Sequence, residues 1–178
     1  MITVAIIGAG PLGRRLALQS AQVGFRVALE DVMPASLRHA EETLREALGP
    51  SAMPQVRFAT TVEDAVRDAD LAIDCVPDEL ESKLEIFSLL DRMAPPRTIF
   101  LTPTTLSIAD LARCTYRPDR CIAIGMSSSQ LAAVDADSSG IPLRITGQTS
   151  PEAKALVCEF WQRLGYVPAV ELDNALEV

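Results

Sequence analysis

Gly8, Gly10 and Gly13 form the pattern G-x-G-x-x-G within the stretch GAGPLG. It directly follows TVAIIG, a continuous apolar and β-branched run, and opens PLGRRLALQSAQVG, whose Leu12, Leu16 and Val23 recur at helical spacing. At such a junction each glycine has its own use. Gly8 permits a tight turn, Gly10 lets a pyrophosphate approach the backbone, and Gly13 lets the helix pack close to the strand. The start of the helix then offers free N–H groups and a positive dipole end to phosphate oxygens. Asp31 lies 23 positions after Gly8, at the end of the next strand-like run. A carboxylate there accepts hydrogen bonds from a ribose and repels a 2′-phosphate, which favours NAD over NADP. The chemistry these residues imply is dinucleotide binding.

The elements that must position them alternate along the chain. Strand-type runs fall at 3–8, 25–31, 55–60, 70–78, 98–102, 120–125, 142–146 and 166–172, and helix-type runs at 11–24, 33–49, 61–69, 79–94, 107–114 and 150–165. Residues 127–140, rich in Ser, Ala and Asp, read as a loop. Strands alternating with helices over short links predict a Rossmann-type α/β fold. The sheet is doubly wound and mostly parallel, in a single dinucleotide-binding domain over residues 1–178. Ligands of such sheets sit at the carboxyl ends of the strands. Those ends are Gly8–Gly13, Glu30–Asp31, Val76–Asp78, Thr102–Thr105 and Gly125–Gln130.

Composition narrows the function classes. A hydrophobic content of 48% with only 4% aromatics predicts a core of Ala, Val, Leu and Ile. A net charge of −8 argues against nucleic acid and anionic membranes as partners, because phosphate contacts need clustered Lys and Arg. No apolar run reaches the roughly 18 residues of a membrane span, and Met1 leads straight into a strand, so no leader is expected. Cys75, Cys114, Cys121 and Cys158 show no C-x-x-C pair and no zinc-type spacing. They read as free thiols in a reducing, cytoplasmic compartment, with no metal site.

Several ordered stretches resemble the NAD-binding domain of the 3-hydroxyacyl-CoA dehydrogenase family. AIIGAGPLGRRLALQSAQVGFRVALEDV is similar to its start, and DLAIDCVPDELESKLEIFSLLDRMAPPRTIFLTPTTLSIADLA to its middle. RPDRCIAIGM resembles the strand that precedes the catalytic histidine, and GQTSPEAKALVCEFWQRLGYVPAVELD the final helix and strand. The resemblance implies that Gly8, Gly10, Pro11, Leu12, Gly13 and Asp31 hold the adenine half of NAD. Asp78 and Lys83, five apart, match the family's Glu and Lys that contact NAD; as bare residues they are equally a solvated i, i+5 pair. Thr102 stands at the family's cofactor-contacting Asn. Thr104 stands at its catalytic-site Ser.

The departures concern the proton. The family uses a His as general base, oriented by a Glu. Here IGM is followed by Ser127, and an ungapped count from Arg120 puts Gly125 at that place; neither takes a proton near neutral pH. IPLRIT, where the Glu would lie, holds no carboxylate, and the single histidine, His39, falls on a helix after the second strand. The segment for a CoA-binding lysine arm is shortened, and the chain ends where the family's helical C-terminal domain would begin. Three expectations follow: an NAD-linked oxidoreductase of fatty acid metabolism with Thr104 and Ser127 at the catalytic positions, a non-catalytic NAD-binding sensor or subunit, or a relic that binds nothing. A cleft of Ser and Thr side chains suits a small polar or acyl-CoA ligand. A homodimer or a partner subunit would cover apolar surface left at the strand ends.

Overall fold

The computed structural model describes residues 1–137 and 139–173. The first stretch of β-branched residues becomes β1 (Thr3–Ile7), followed by α1 (Pro11–Gln22) and β2 (Arg26–Glu30). Next come α2 (Pro34–Ala52), β3 (Val56–Ala59), α3 (Val62–Val66) and β4 (Leu71–Asp74). The second half contains α4 (Leu80–Met93), β5 (Ile99–Pro103), α5 (Ile108–Ala112), β6 (Cys121–Ile124), α6 (Ser128–Ala132), β7 (Gly140–Ile145), α7 (Pro151–Arg163) and β8 (Val167–Leu172). Punctuation follows the local chemistry. Pro11, Pro34 and Pro151 start helices where a missing N–H does no harm. Gly49, with φ +66°, breaks α2 where the sequence expects its end.

All eight strands join one sheet in the order β3-β2-β1-β4-β5-β6-β7-β8. The pairs from β3 through β6 are parallel, as expected. β7 runs antiparallel to β6, with Ala123 opposite Arg144, and β8 follows β7 in parallel. The strand order reverses at β1, which pairs with β2 on one side and β4 on the other.

Side-chain alternation sorts the core into two layers. Val4, Ile6, Val27, Leu29, Ile73 and Leu101 face α1, α2 and α7 and pack with Leu16, Leu44, Phe160 and Trp161. Ala5, Ile7, Ala28, Ala72 and Phe100 face the other way, against Val62, Val66, Ile86, Phe87 and Leu111 of α3, α4 and α5. Small residues on this second face let α3 and α4 lie close to the sheet.

One expectation is corrected. Residues 128–132 are α6, not loop. Ser127 caps it, its Oγ accepting from the Gln130 amide while Gln130 Oε1 accepts from the Ser127 amide. Ser-x-x-Gln is a capping-box pattern, so the signal was present among the serines. The last five residues of the expected domain, and Ser138 of the expected loop, lie outside the described residues.

Candidate functional site

The three glycines are required for three different reasons. Gly8 has φ +105°, and its amide donates to the Glu30 carbonyl at 2.8 Å. At Gly13 an added Cβ would lie 1.8 Å from the Gly8 carbonyl oxygen, so only glycine lets α1 approach β1 this closely. At Gly10 an added Cβ meets nothing within 4 Å. Fold packing therefore does not demand a glycine there; its missing side chain keeps open the space over the helix start. That start has no side-chain cap, so its first N–H groups remain available to a phosphate.

Beside it opens a cleft of about 470 Å³, lined by the Gly8–Gly10 turn, Glu30, Asp31, the 75–77 turn and one face of α4. Asp31 accepts from the Ala9 amide at 2.9 Å and the Met33 amide at 2.8 Å, one on each carboxylate oxygen. Each oxygen has a second lone pair, so both can still take a ribose hydroxyl.

Asp78 and Lys83, expected to contact NAD, form no ion pair with each other. Lys83 is fully buried, its Nζ 3.1 Å from Asp74 Oδ2 and donating to the Val76 carbonyl at 3.1 Å. The solvated-pair alternative is thereby corrected: a lysine on the sheet-facing side of α4 reaches an acid at the end of β4. Burial pushes the Asp74 carboxyl up, against the pull of the Lys83 charge and of hydrogen bonds from Val76, Lys83 and Thr102. Thr102, also buried, donates to Asp74 Oδ2 at 2.9 Å. Neither Lys83 nor Thr102 lines the cleft. They hold the 75–77 turn that does.

Asp78 instead ties two strand-end loops together. It accepts from the Thr104 hydroxyl, and from the amide and hydroxyl of Thr105, both at 2.9 Å. Burial pushes its carboxyl up, but these hydrogen bonds and the Lys83 charge outweigh burial and leave it below the usual carboxylate range. The Thr104 hydroxyl is fully buried in this contact. Ser127 is occupied as the cap of α6, with its Oγ 3.1 Å from Ser129 Oγ. Ser128 Oγ donates to the Val76 carbonyl at 3.4 Å, which brings α6 against the cleft wall.

At the β6–β7 junction the Gly125 amide donates to the Pro142 carbonyl at 2.8 Å. An added Cβ on Gly125 would sit 3.4 Å from Pro142 and 3.5 Å from Arg144 Nε. The Arg144 guanidinium donates to the carbonyls of Thr104 and Leu106 at 2.5 and 3.0 Å and meets Asp173 at 3.4 Å. His39 is exposed on α2 and absent from this region. Sequence reasoning placed Glu30 at a strand end without giving it a role, and missed Asp74, Arg144 and Asp173. The first two were legible as acids closing otherwise apolar strands, ALE and LAID. The last two depend on the β6–β7–β8 pairing, which no local pattern signals.

An uncapped helix start, a glycine turn and an acid at the end of the next strand, set at the reversal of a parallel sheet, define a dinucleotide-binding domain. Residues 3–128 match the family described as the 3-hydroxyacyl-CoA dehydrogenase NAD-binding domain, and the chain belongs to that family. It is 32% identical to a 5-formyl-3-hydroxy-2-methylpyridine 4-carboxylate 5-dehydrogenase of Mesorhizobium japonicum, over 94% of this chain and 56% of that protein. It is 30% identical to a probable 3-hydroxybutyryl-CoA dehydrogenase of Bacillus subtilis, over 67% of this chain and 46% of that one. The chain thus spans about half the length of these curated relatives. Among solved structures, a diketoreductase that acts on dicarbonyl compounds superposes with a TM-score of 0.81 at 28% identity, covering 96% of this chain and 64% of that one. NAD is the cofactor of this domain family, and the Gly10 opening and uncapped α1 fit it.

Proposed function

We propose that this chain holds NAD(H) at the β1–β4 reversal and does not itself supply the proton-transferring group of a hydroxyacyl dehydrogenation. It acts as a non-catalytic NAD-binding sensor or subunit alongside a partner. When bound, NAD supplies a nicotinamide ring able to accept a hydride. The chain's own contribution is to bind and orient: the α1 start and Gly10 receive the pyrophosphate, with Pro11 and Leu12 shaping the first turn, and Asp31 receives the adenosine ribose. Asp78, Lys83 and Thr102 set the loops around it.

The observation that carries the second half of the proposal is the content of the β6 end. Gly125 and Ser127 stand at the two alternative places for the base; the first has no side chain and the second is a helix cap. Thr104 donates into a carboxylate held below its usual range, an arrangement suited to fixing a loop rather than accepting a proton. Losing a positioned general base typically lowers turnover by about 10²–10⁴-fold. Support for a partner is the apolar surface that β8 leaves exposed at Val167, Val170 and Leu172.

The test is calorimetric titration with NADH and with NADPH, followed by acetoacetyl-CoA while NADH absorbance is monitored. The expected result is NADH binding that exceeds NADPH binding, with no oxidation on adding acetoacetyl-CoA. Turnover would overturn the non-catalytic role, and the absence of binding by either nucleotide would overturn the cofactor role.

A further inference from the structure

Glu30 breaks the pattern of its own strand. β2 alternates between the two core layers, and Ala28 lies on the α3–α4 side with Ala5, Ala59 and Val62. Two residues on, at the last position of the strand, that side receives a carboxylic acid. Glu30 is only 2% exposed, and its Oε1 has no hydrogen-bond partner among the described residues. Burying a carboxyl without a partner is unfavourable, and folds generally satisfy such groups. No cation answers it. Glu30 is in none of the ion pairs found among the described residues, and Arg57, on the neighbouring β3, is engaged by Asp64. The other titratable groups lining the same cleft are Asp31, Glu85 and Cys75, none of them a cation; α3 contributes only Val62 to the lining.

The residue with the unmade hydrogen bond is one of those that line the ligand cleft. Besides the glycine turn, these groups and Ser82, the cleft walls are apolar, with Val62, Val76, Pro77, Ile86 and Leu89 among them. A cleft lined by aliphatic side chains, with Glu30 among the few polar groups, suits a heteroaromatic base, whose faces lie on the aliphatics and whose edge needs a partner. Asp31 has a different aim, because it is tethered to the Ala9 amide of the glycine turn on the phosphate side.

We propose, resting on the NAD(H) role above, that Glu30 reads the adenine edge of the bound dinucleotide, a specificity-determining contact separate from the ribose contact of Asp31. The protonation state gives the contact its character. Burial first, and the Asp31 charge second, push the Glu30 carboxyl up from the ordinary 4.5 to about 7. A neutral carboxyl presents an O–H donor beside a carbonyl acceptor, the same pair a Gln amide offers. That pair matches the amino group and adjoining ring nitrogen of adenine. The ionised form only accepts, so it loses one of the two bonds and is buried as a charge. Nucleotide binding above about pH 7 therefore takes up one proton. Cys75 does not compete in this range, because burial pushes its thiol far up.

The experiment is titration of the purified chain with NADH at pH 6.5, 7.5 and 8.5, with thermal melts confirming that every variant folds. The expected result is a wild-type affinity that falls about 25-fold between pH 6.5 and 8.5, as one-proton linkage to a carboxyl titrating at about 7 requires. Glu30→Gln should hold the pH 6.5 affinity across the range. Glu30→Leu, compatible with the apolar face, should bind NADH about tenfold more weakly at pH 6.5 with no pH trend of its own. A reduced dinucleotide carrying unsubstituted purine in place of adenine, which keeps the ring nitrogens but lacks the 6-amino group, should bind the wild type several-fold more weakly than NADH at pH 6.5. NADH binding that is equally tight in wild type and Glu30→Leu, with the same pH trend, would overturn the role of Glu30 and leave the cofactor role standing. No NADH binding by any variant at any pH would overturn both.

Discussion

At the scale of single residues, the glycine motif divides into positions the fold needs and a position the ligand needs. Gly13 cannot carry a side chain, because a Cβ would lie 1.8 Å from the Gly8 carbonyl oxygen. Gly10 can, because nothing stands within 4 Å of the place its Cβ would take. The two alanine variants should therefore fail differently. Gly13→Ala is expected to destabilise the fold by more than about 4 kcal/mol, the range reserved for backbone overpacking. Gly10→Ala should lower stability by about 1 kcal/mol or less, the difference between Gly and Ala at a helix cap. Its NADH affinity should fall by about tenfold or more, since the methyl group occupies the phosphate approach. Thermal melting and NADH titration of the same two variants check both outcomes. A Gly10→Ala protein with unchanged affinity would remove Gly10 from the site.

At the scale of elements, α4 is fastened to the sheet by a buried charge rather than by apolar packing alone. Ile86, Phe87 and Leu90 form its apolar stripe, and Lys83, one turn before Phe87, crosses to Asp74 at the end of β4. Thr102 of β5 and the Val76 amide complete the set of donors around that acid. Removing one partner leaves an uncompensated charge in the core. Lys83→Met should accordingly lower the free energy of unfolding by about 3–5 kcal/mol, measured by urea denaturation. Adding Asp74→Asn to it should restore much of that loss, because the lone charge is then gone. If the single and double variants were equally destabilised, Lys83 would matter through packing and not through its charge. The same fastening shapes the cleft, since Lys83 also donates to the carbonyl of Val76, a lining residue.

At the scale of the whole molecule, the cleft lies where the strand order reverses, and the acids gathered there link stability to pH. The folded state holds the Glu30 proton more tightly than the unfolded chain, its carboxyl being raised from 4.5 to about 7. Its contribution is therefore complete below about pH 4.5 and is lost as pH rises to about 7. Asp78 works in the opposite sense, but its lowered carboxyl acts on the acid side of the ordinary range. Between pH 5 and 8 the melting temperature of the wild type should therefore fall relative to that of Glu30→Gln, with the gap closing toward pH 5. Parallel melts of the two proteins across this range check the sign. A gap that widened toward acid would contradict the burial of Glu30.

What the sequence determined by itself was whatever neighbouring residues encode. The β-branched run ending at Gly8, the helical spacing of Leu12 and Leu16, the proline starts and the break at Gly49 act within a few positions of chain, so the α/β alternation and the phosphate turn were legible. The Ser-x-x-Gln cap of α6 was legible on the same terms, though a serine-rich stretch masks it. Contacts between residues far apart in the chain were not. Thr104 meets Asp78 across 26 positions and Thr102 meets Asp74 across 28. Lys83 chose Asp74 over the nearer Asp78, and Arg144 lies beside Gly125 because β7 turns antiparallel to β6. Such pairings follow from strand order and register, which arise only when buried faces are covered together, so the tertiary structure alone decided which acids are satisfied and that Glu30, in the cleft wall, keeps an oxygen without a partner among the described residues.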